Sequence, residues 1–294
     1  MRRFLRRLLH LLAAPFRFIT RPIRNFINYE PEDAPIGDVF SRTVEQPSLL
    51  LDHLEALRRH LLRSIIVLVI TIGVSTLFAQ DVLAWLAAPI GGLQKLQAIE
   101  VTENIGAFMR VTLLTGFAMA LPYIGLEIFA FLNPGLRRRE RILLLSMIPA
   151  ATVLFIAGMA FSYYIMLPAA LPFLLNFLGI SAAIRPANYI RFVTGLMFWI
   201  GLAFQFPLVI YALATLGVVR ARSLLQGWRF AVVGIAVIAA AATPTIDPVN
   251  MGLVMLPMIV LYFLSIGLAA MAGRGRRRAE ARELAHAKPV SSRE

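Results

Sequence analysis

Long apolar segments alternate with short polar ones along most of the chain. A helix needs about 20 mostly apolar residues to cross a hydrocarbon core of roughly 30 Å, because lipid offers no partner for free backbone groups. A proline-rich break divides the last apolar segment into two short helices at Thr243–Asn250. The predicted crossings are Leu61–Ala79, Ala107–Leu132, Ile142–Leu167, Arg191–Val219 and two within Phe230–Ala272. The pattern therefore predicts an all-α, polytopic membrane protein with six transmembrane helices, the last two short.

The positions of the arginines predict the orientation. Short cytoplasmic loops of membrane proteins are enriched in Lys and Arg, whereas exported loops are not. Arginines precede the first crossing, follow the sixth, and occupy the second and fourth connections: Arg58, Arg59, Arg63, Arg137, Arg138, Arg139, Arg141, Arg220, Arg222, Arg229, Arg274, Arg276, Arg277 and Arg278. The other connections carry little beyond Lys95 and Arg185. Both termini are therefore expected in the cytoplasm.

Composition narrows the functional classes. Of the 294 residues, 59% are hydrophobic and only 15% are charged, and the mean hydropathy is +0.75; soluble domains carry about 25% charged residues. This excludes a soluble globular enzyme. The net charge of +13 favours anionic lipid over nucleic acid as a partner, since the basic residues flank apolar segments.

Cofactor chemistry has little support in the sequence. The chain contains no cysteine, which excludes disulfides and thiolate metal sites. All four histidines lie outside the predicted crossings: His10, His53, His60 and His286. We therefore expect no cofactor, no metal and no catalytic residues.

Three segments are expected along the chain. Residues 1–47 form a basic extension whose apolar runs are too short to cross, followed by a proline-bearing linker, and we expect the extension to lie on anionic lipid. Residues 48–273 form the six-helix membrane domain. Residues 274–294 form a charged tail that is expected to be disordered.

An amphipathic helix is predicted to lead into the first crossing. Leucines recur there at helical spacing and leave charged residues on the wetter side: Leu50, Leu54, Leu57, Leu61, Asp52, Glu55, Arg58 and Arg59. Glu55 and Arg59 are spaced for an i,i+4 ion pair. Further along, Glu140 is the only carboxylate in a short loop of arginines. Ionisable or polar residues inside or beside the crossings are functional candidates by default: Arg110, Glu127, Gln205, Asp247 and Asn250.

Several motifs, in order, resemble the TatC family, the polytopic subunit of the twin-arginine (Sec-independent) protein translocase. The resemblance covers about Ser48–Gly273. Its motifs are HLEALRRHL at His53–Leu61, TENIGAFMR at Thr102–Arg110, ALPYIGLEIFAFLNPGLRRRER at Ala120–Arg141, FIAGMAFSYYIMLPAALPF at Phe155–Phe173, FQFPLVIYALATLGVV at Phe204–Val219 and TPTIDPVN at Thr243–Asn250.

The resemblance implies a receptor in the cytoplasmic (plasma) membrane rather than an enzyme. Members of the family bind the twin-arginine signal peptides of folded precursors. They assemble with single-span TatA- or TatB-type partners, and with further TatC copies, for export driven by the proton motive force. No nucleic acid is expected to bind.

The resemblance also implies which residues bind the signal peptide. The family's principal acceptor glutamate falls on Glu140, and its motif arginine on Arg58. A second family glutamate, in an HLxELR pattern, falls on Ala56, because this chain has HLEALR. One residue is a rotation of about 100° on a helix, so either Glu55 or Asp52 remains open as its replacement. Three more residues complete the predicted site: Phe131, Pro134 and Arg141.

The resemblance also implies that a second group of residues takes part in transport or contacts partner helices: Gln205, Pro89, Glu103, Arg110 and Asp247. The family often has a glutamate in the fourth helix where this chain has Gln205, which cannot titrate. These departures leave open a divergent scaffold or paralogue without its own signal recognition. A secondary transporter is the weaker alternative, because the two halves show no convincing repeat.

Overall fold

The structure is a computed structural model that describes residues 47–136, 138–175, 183–242 and 248–287. Within these ranges the chain is helical apart from short connections and one isolated bridge between Leu96 and Ile184. The helices are α1 (Pro47–Ser75), α2 (Ala79–Ala87), α3 (Glu103–Leu132), α4 (Arg138–Phe161), α5 (Leu167–Leu175), α6 (Pro186–Ala203), α7 (Phe206–Thr215), α8 (Ala221–Gln226), α9 (Trp228–Ala242) and α10 (Pro248–Ala287). The predicted extension before Pro47, Asp247 and the last seven residues lie outside the described residues.

Four apolar stretches within the described ranges are long enough to cross a membrane: Glu103–Leu132, Glu140–Leu175, Pro186–Thr215 and Met251–Gly275. The bent pair formed by α1 and α2, with 72° between its halves, adds a fifth if it counts as one span. This is a multi-pass membrane protein. The six-crossing count remains a prediction, in which α9, with 15 residues, is the short fifth helix.

Two elements differ from the sequence expectation. The connection after α1 contains α2, which the hydropathy pattern did not predict because it is only nine residues long. At the other end of the chain, α10 is longer than the predicted short helix, with 40 residues, and it continues through Arg274 to Ala287. The residues from Arg274 to Ala287 are therefore helical rather than disordered. Alanine, arginine, glutamate and leucine all favour helix there.

Helices α1 and α3 pack antiparallel at close range. Ser75, the last residue of α1, donates its hydroxyl to the carbonyl of Thr112, 2.8 Å away. About halfway back along α1, His60 meets Glu127. Between these contacts Gly116 lies against Ile72, so closely that an added Cβ would stand 2.7 Å from the Ile72 Cα. The absence of a side chain at Gly116 thus sets the separation of the two helices.

The crossing of α4 and α6 also depends on glycine. A Cβ on Gly158 would stand 2.8 Å from the Cα of Gly201, and a Cβ on Gly201 would meet the ring of Phe155 at 2.8 Å. Phe155 is fully buried and packs on Phe117, with ring centroids 5.5 Å apart. This crossing therefore buries the Phe155 ring between the helices.

Two tyrosines hold the short helix α2 against the bundle. The hydroxyl of Tyr163 donates to the carbonyl of Trp85 at 2.7 Å, and that of Tyr189 donates to the carbonyl of Leu86 at 2.8 Å. Both bonds reach carbonyls in the last turn of α2, and the Trp85 carbonyl also accepts the backbone amide of the C-cap residue Ala88. Tyr163 lies in a π-helical turn, Ser162–Met166, between α4 and α5. It also stacks on Trp85 with ring centroids 3.9 Å apart.

Candidate functional site

The predicted binding residues gather where α1 begins, α3 ends and α4 begins, a region called here the basic end. On α1, His53, Ala56 and His60 are spaced to share one side of the helix. On the facing helix, Phe131 contacts both histidines, with ring centroids 4.6 Å from His53 and 6.2 Å from His60. The predicted binding residue Phe131 therefore belongs to an aromatic contact that joins α1 to α3.

One turn further into the membrane, Glu127 is bonded from both sides. Its Oε2 lies 2.6 Å from Nδ1 of His60, and its Oε1 accepts the hydroxyl of Tyr123 at 2.6 Å. The Glu127 side chain is only 10% exposed, so it is bound inside the helix interface. The sequence marked Glu127 as a functional candidate but gave no indication of His60 as its partner, because the two residues are 67 positions apart.

Glu55 is held by arginines of its own helix. Its Oε1 accepts Nε of Arg59 at 3.2 Å, which confirms the predicted i,i+4 pair, and its Oε2 accepts Nη1 of Arg58 at 3.5 Å. Both arginine side chains are well exposed, at 66% and 71%. Asp52, the alternative replacement for the family glutamate, lies one turn before Ala56 on the same helix. The choice between Glu55 and Asp52 remains open.

A tight turn connects α3 to α4 and places the remaining predicted residues. Asn133–Gly135 form a 3₁₀ turn in which Pro134 is exposed. Glu140 follows in the first turn of α4 and is half-buried; a carboxylate is favoured there by the positive end of the helix dipole. Arg141, also a predicted binding residue, is buried at 4% exposure, so its guanidinium lies inside the protein rather than at the surface.

The four members of the second predicted group that the structure describes do not form one site. Pro89 lies exposed in a 3₁₀ turn after α2, and Arg110 is exposed on α3 two turns from its start. Gln205 occupies the break between α6 and α7 and is half-buried. Its Nε2 donates to the carbonyl of Ala151 at 2.9 Å, so the amide donor is used within the chain.

Glu103 forms an ion-pair cluster at the end of the bundle away from the basic end. Its Oε1 accepts Nε of Arg185 at 2.8 Å, and Nη2 of Arg185 also bonds Glu103 and lies 2.7 Å from Oε1 of Glu100. The two carboxylates raise the pKa of the Arg185 guanidinium. Beside this cluster the amide of Gln97 donates to the carbonyl of Ile184 at 2.9 Å. The cluster therefore joins the connection before α3 to the one before α6.

We expect Arg185→Gln to lower the unfolding temperature, because the buried Glu103 carboxylate would lose its cationic partner. Adding Glu103→Gln in the same chain removes the stranded charge and should recover part of the loss. The measurement is thermal unfolding of the purified chain in detergent, with Glu100→Gln as the control, since Glu100 is exposed and should tolerate the change. If Arg185→Gln unfolds at the same temperature as the parent, the ion pair contributes nothing to thermal stability.

Comparison with known proteins identifies relatives. The family model described as Sec-independent protein translocase protein (TatC) matches residues 52–257. The Sec-independent protein translocase protein TatC of Synechocystis is 34% identical over 227 residues, which cover 76% of this chain and 89% of the relative. The chloroplastic TATC of Arabidopsis thaliana is 36% identical over 229 residues, covering 76% of this chain and 67% of the relative.

A solved structure agrees with these sequence matches. The crystal structure of the twin arginine translocase receptor TatC superposes on this chain with a TM-score of 0.67 and 32% sequence identity. The superposition covers 75% of this chain and 99% of the other. The helical arrangement described above is thus similar to that of a known translocation receptor.

Proposed function

Because this chain belongs to the TatC family of Sec-independent protein translocases, we propose that it is a receptor for the twin-arginine signal peptides of folded precursors. The observation that supports this most is Glu140, a half-buried carboxylate in the first turn of α4. It lies beside the turn that ends α3, at the same end of the bundle as Phe131 and the start of α1. The proposed role is binding and assembly, with no chemical conversion of the precursor.

A carboxylate suits the recognition of paired arginines. A guanidinium is planar, permanently charged and weakly hydrated, and it forms two parallel hydrogen bonds with a carboxylate. A lysine ammonium is strongly hydrated and acts as a point charge, so it gains less from the same acceptor. Glu140 at the basic end therefore provides discrimination between arginine and lysine as well as attraction.

The proposed orientation places the basic end in the cytoplasm, where the signal peptides of folded precursors arrive. Arg58 and Arg59 are exposed at this end, as the positive-inside rule requires, and they can also contact anionic headgroups. The cluster of Glu103 and Arg185 then lies on the exported side of the plasma membrane, and both chain termini lie in the cytoplasm.

Single-span TatA- or TatB-type proteins are the proposed partners, together with further copies of this chain. Gln205 lies at the break between α6 and α7 and retains an amide oxygen that can accept a hydrogen bond from a neighbouring helix. A polar side chain at this depth is costly in lipid unless it has partners. Transport through the assembled complex would use the proton motive force.

The test is the affinity of a fluorescent twin-arginine peptide for the full chain in lipid nanodiscs, compared with the same peptide carrying twin lysines. We expect the parent to prefer arginine, and we expect Glu140→Gln to weaken arginine binding about tenfold, the scale of one charge-assisted hydrogen bond. Glu100→Gln is the matched control, because it removes the same charge from an exposed residue at the other end of the bundle. Equal affinity of the parent for both peptides would favour the divergent scaffold over the receptor.

A further inference from the structure

Glu127 is a largely buried carboxylate whose described hydrogen-bond partners include no permanent cation. Its two oxygens meet the hydroxyl of Tyr123 and the imidazole of His60. Neither a tyrosine hydroxyl nor an imidazole is a permanent cation. These partners give Glu127 hydrogen bonds but no ion pair with a permanent cation; the nearby Arg63 on α1 acts electrostatically on Tyr123.

The position of Glu127 makes this arrangement unusual. The residue lies five positions before the end of α3, or about 8 Å along the helix, at the edge of an apolar span. A carboxylate at the border of hydrocarbon is costly and is retained where it meets a partner or a pathway. A carboxylate also has about four acceptor positions, and the two described bonds use two of them. Glu127 therefore retains the capacity to accept an incoming donor.

The route to Glu127 passes through the predicted binding site. Phe131 lies one turn above it on α3 and contacts both His53 and His60. Between those histidines, on the same side of α1, Ala56 contributes only a methyl group. The His60 side chain is 19% exposed. Phe131 and His60 thus separate Glu127 from the basic end. Ala56 is the smallest side chain on this side of α1.

We propose that Glu127 is a second guanidinium acceptor of the signal-peptide site, which binds one arginine of the pair while Glu140 binds the other. This inference rests on the proposed receptor function and adds a residue to it. The arginine inserts beside Phe131, and its guanidinium supplies the permanent positive charge that the described partners of Glu127 lack. In the unliganded protein, His60 is bonded to one carboxylate oxygen of Glu127. When the guanidinium binds, His60 either releases that oxygen or shares it with the guanidinium.

A guanidinium fits this place better than an ammonium does. It keeps its charge on partial desolvation and can stack on the aromatic face of Phe131 while bonding Glu127. An ammonium would have to give up much of its strong hydration for fewer directed bonds. Glu127 should accordingly contribute to selectivity for arginine, beyond general attraction of positive charge.

The test uses the full chain in nanodiscs with twin-arginine and twin-lysine peptides. We expect Glu127→Gln to reduce twin-arginine affinity about tenfold and to change twin-lysine affinity much less. Adding Ala56→Glu to Glu127→Gln places a carboxylate on the facing side of α1, and we expect this double variant to regain part of the arginine preference. Glu100→Gln controls for charge removal, and thermal unfolding of each variant shows that it is folded.

The outcomes separate this inference from the receptor proposal. If Glu127→Gln keeps the preference of the parent for twin arginine over twin lysine while Glu140→Gln loses it, Glu127 is not an acceptor and the receptor proposal stands. If Glu127→Gln weakens both peptides equally and Ala56→Glu restores nothing, Glu127 only holds α1 against α3, which also overturns the inference. If the parent does not distinguish arginine from lysine, the inference and the receptor proposal both fail.

Discussion

Replacing Gly116 by alanine is expected to destabilise the protein and to weaken signal-peptide binding at the same time. The new Cβ would stand 2.6 Å from Cγ1, 2.7 Å from Cα and 2.8 Å from N of Ile72. Two of these atoms are backbone, so a rotamer change cannot relieve the clash and α1 must move away from α3. Overpacking of this kind costs about 1–3 kcal/mol. The same movement would separate His60 from Glu127 and His53 from Phe131.

Thermal unfolding in detergent and twin-arginine affinity in nanodiscs provide the two readouts for Gly116→Ala. The matched control is Gly73→Ala, because Gly73 adjoins Ile72 on α1 but has nothing within 4 Å of an added Cβ. We expect the control to keep parent stability and binding. Parent-like behaviour of Gly116→Ala in both assays would show that the spacing of α1 and α3 is not set at this contact.

Replacing Gly158 by alanine is expected to destabilise the protein without acting on the binding site directly. Its Cβ would stand 2.8 Å from the Cα of Gly201, 2.9 Å from Cγ of Phe204 and 3.0 Å from the carbonyl oxygen of Ile200. The α4–α6 crossing must therefore open, again at a cost of about 1–3 kcal/mol. Gly158 lies 18 residues after Glu140 on the same helix, or about 27 Å away.

For Gly158→Ala we expect a lower unfolding temperature, and a twin-arginine affinity close to that of the parent for the fraction that remains folded. Gly267→Ala on α10 is the matched control, since no atom lies within 4 Å of its added Cβ. A loss of affinity in folded Gly158→Ala protein as large as that of Gly116→Ala would mean that packing throughout the bundle, rather than the α1–α3 contact, shapes the site.

The long crossings could be predicted because the requirement for them is local. An apolar run of about 20 residues must become a helix in lipid, and the structure has such helices in α3, in α4 with α5, in α6 with α7, and in α10. Helix α2 could not be predicted in this way. It is short, and the hydroxyls of Tyr163 and Tyr189, about 78 and 103 positions away from the carbonyls that they bond, hold it in place.

The candidate site was predictable in part. The motif resemblance indicated Glu140, Phe131 and Pro134, and helical spacing predicted the pair of Glu55 with Arg59, which the structure contains. Arg141 was also indicated, but its burial in the folded protein is not visible in the motif. Contacts between distant segments give no periodic signal in a single sequence.

The clearest example of such a contact is the pair of His60 and Glu127. Each residue lies at the edge of an apolar segment, which marks it as unusual, but only the antiparallel register of α1 and α3 brings the two together at 2.6 Å. That register depends on Gly116 and on the bond from Ser75 to Thr112. A buried polar contact between two helices thus depends on small residues about three to four turns away.

The central claim, that the basic end receives the arginine pair, is tested most directly by site-specific photocrosslinking. A twin-arginine signal peptide carries a photoreactive residue next to its arginines, and mass spectrometry maps the crosslinked residues in membranes that contain the full chain. We predict crosslinks to the start of α1, the end of α3 and the start of α4, with strong reduction when the peptide carries twin lysines or the chain carries Glu140→Gln. Crosslinks around Pro89 and Glu103, or crosslinks that persist unchanged with twin lysines, would contradict the claim.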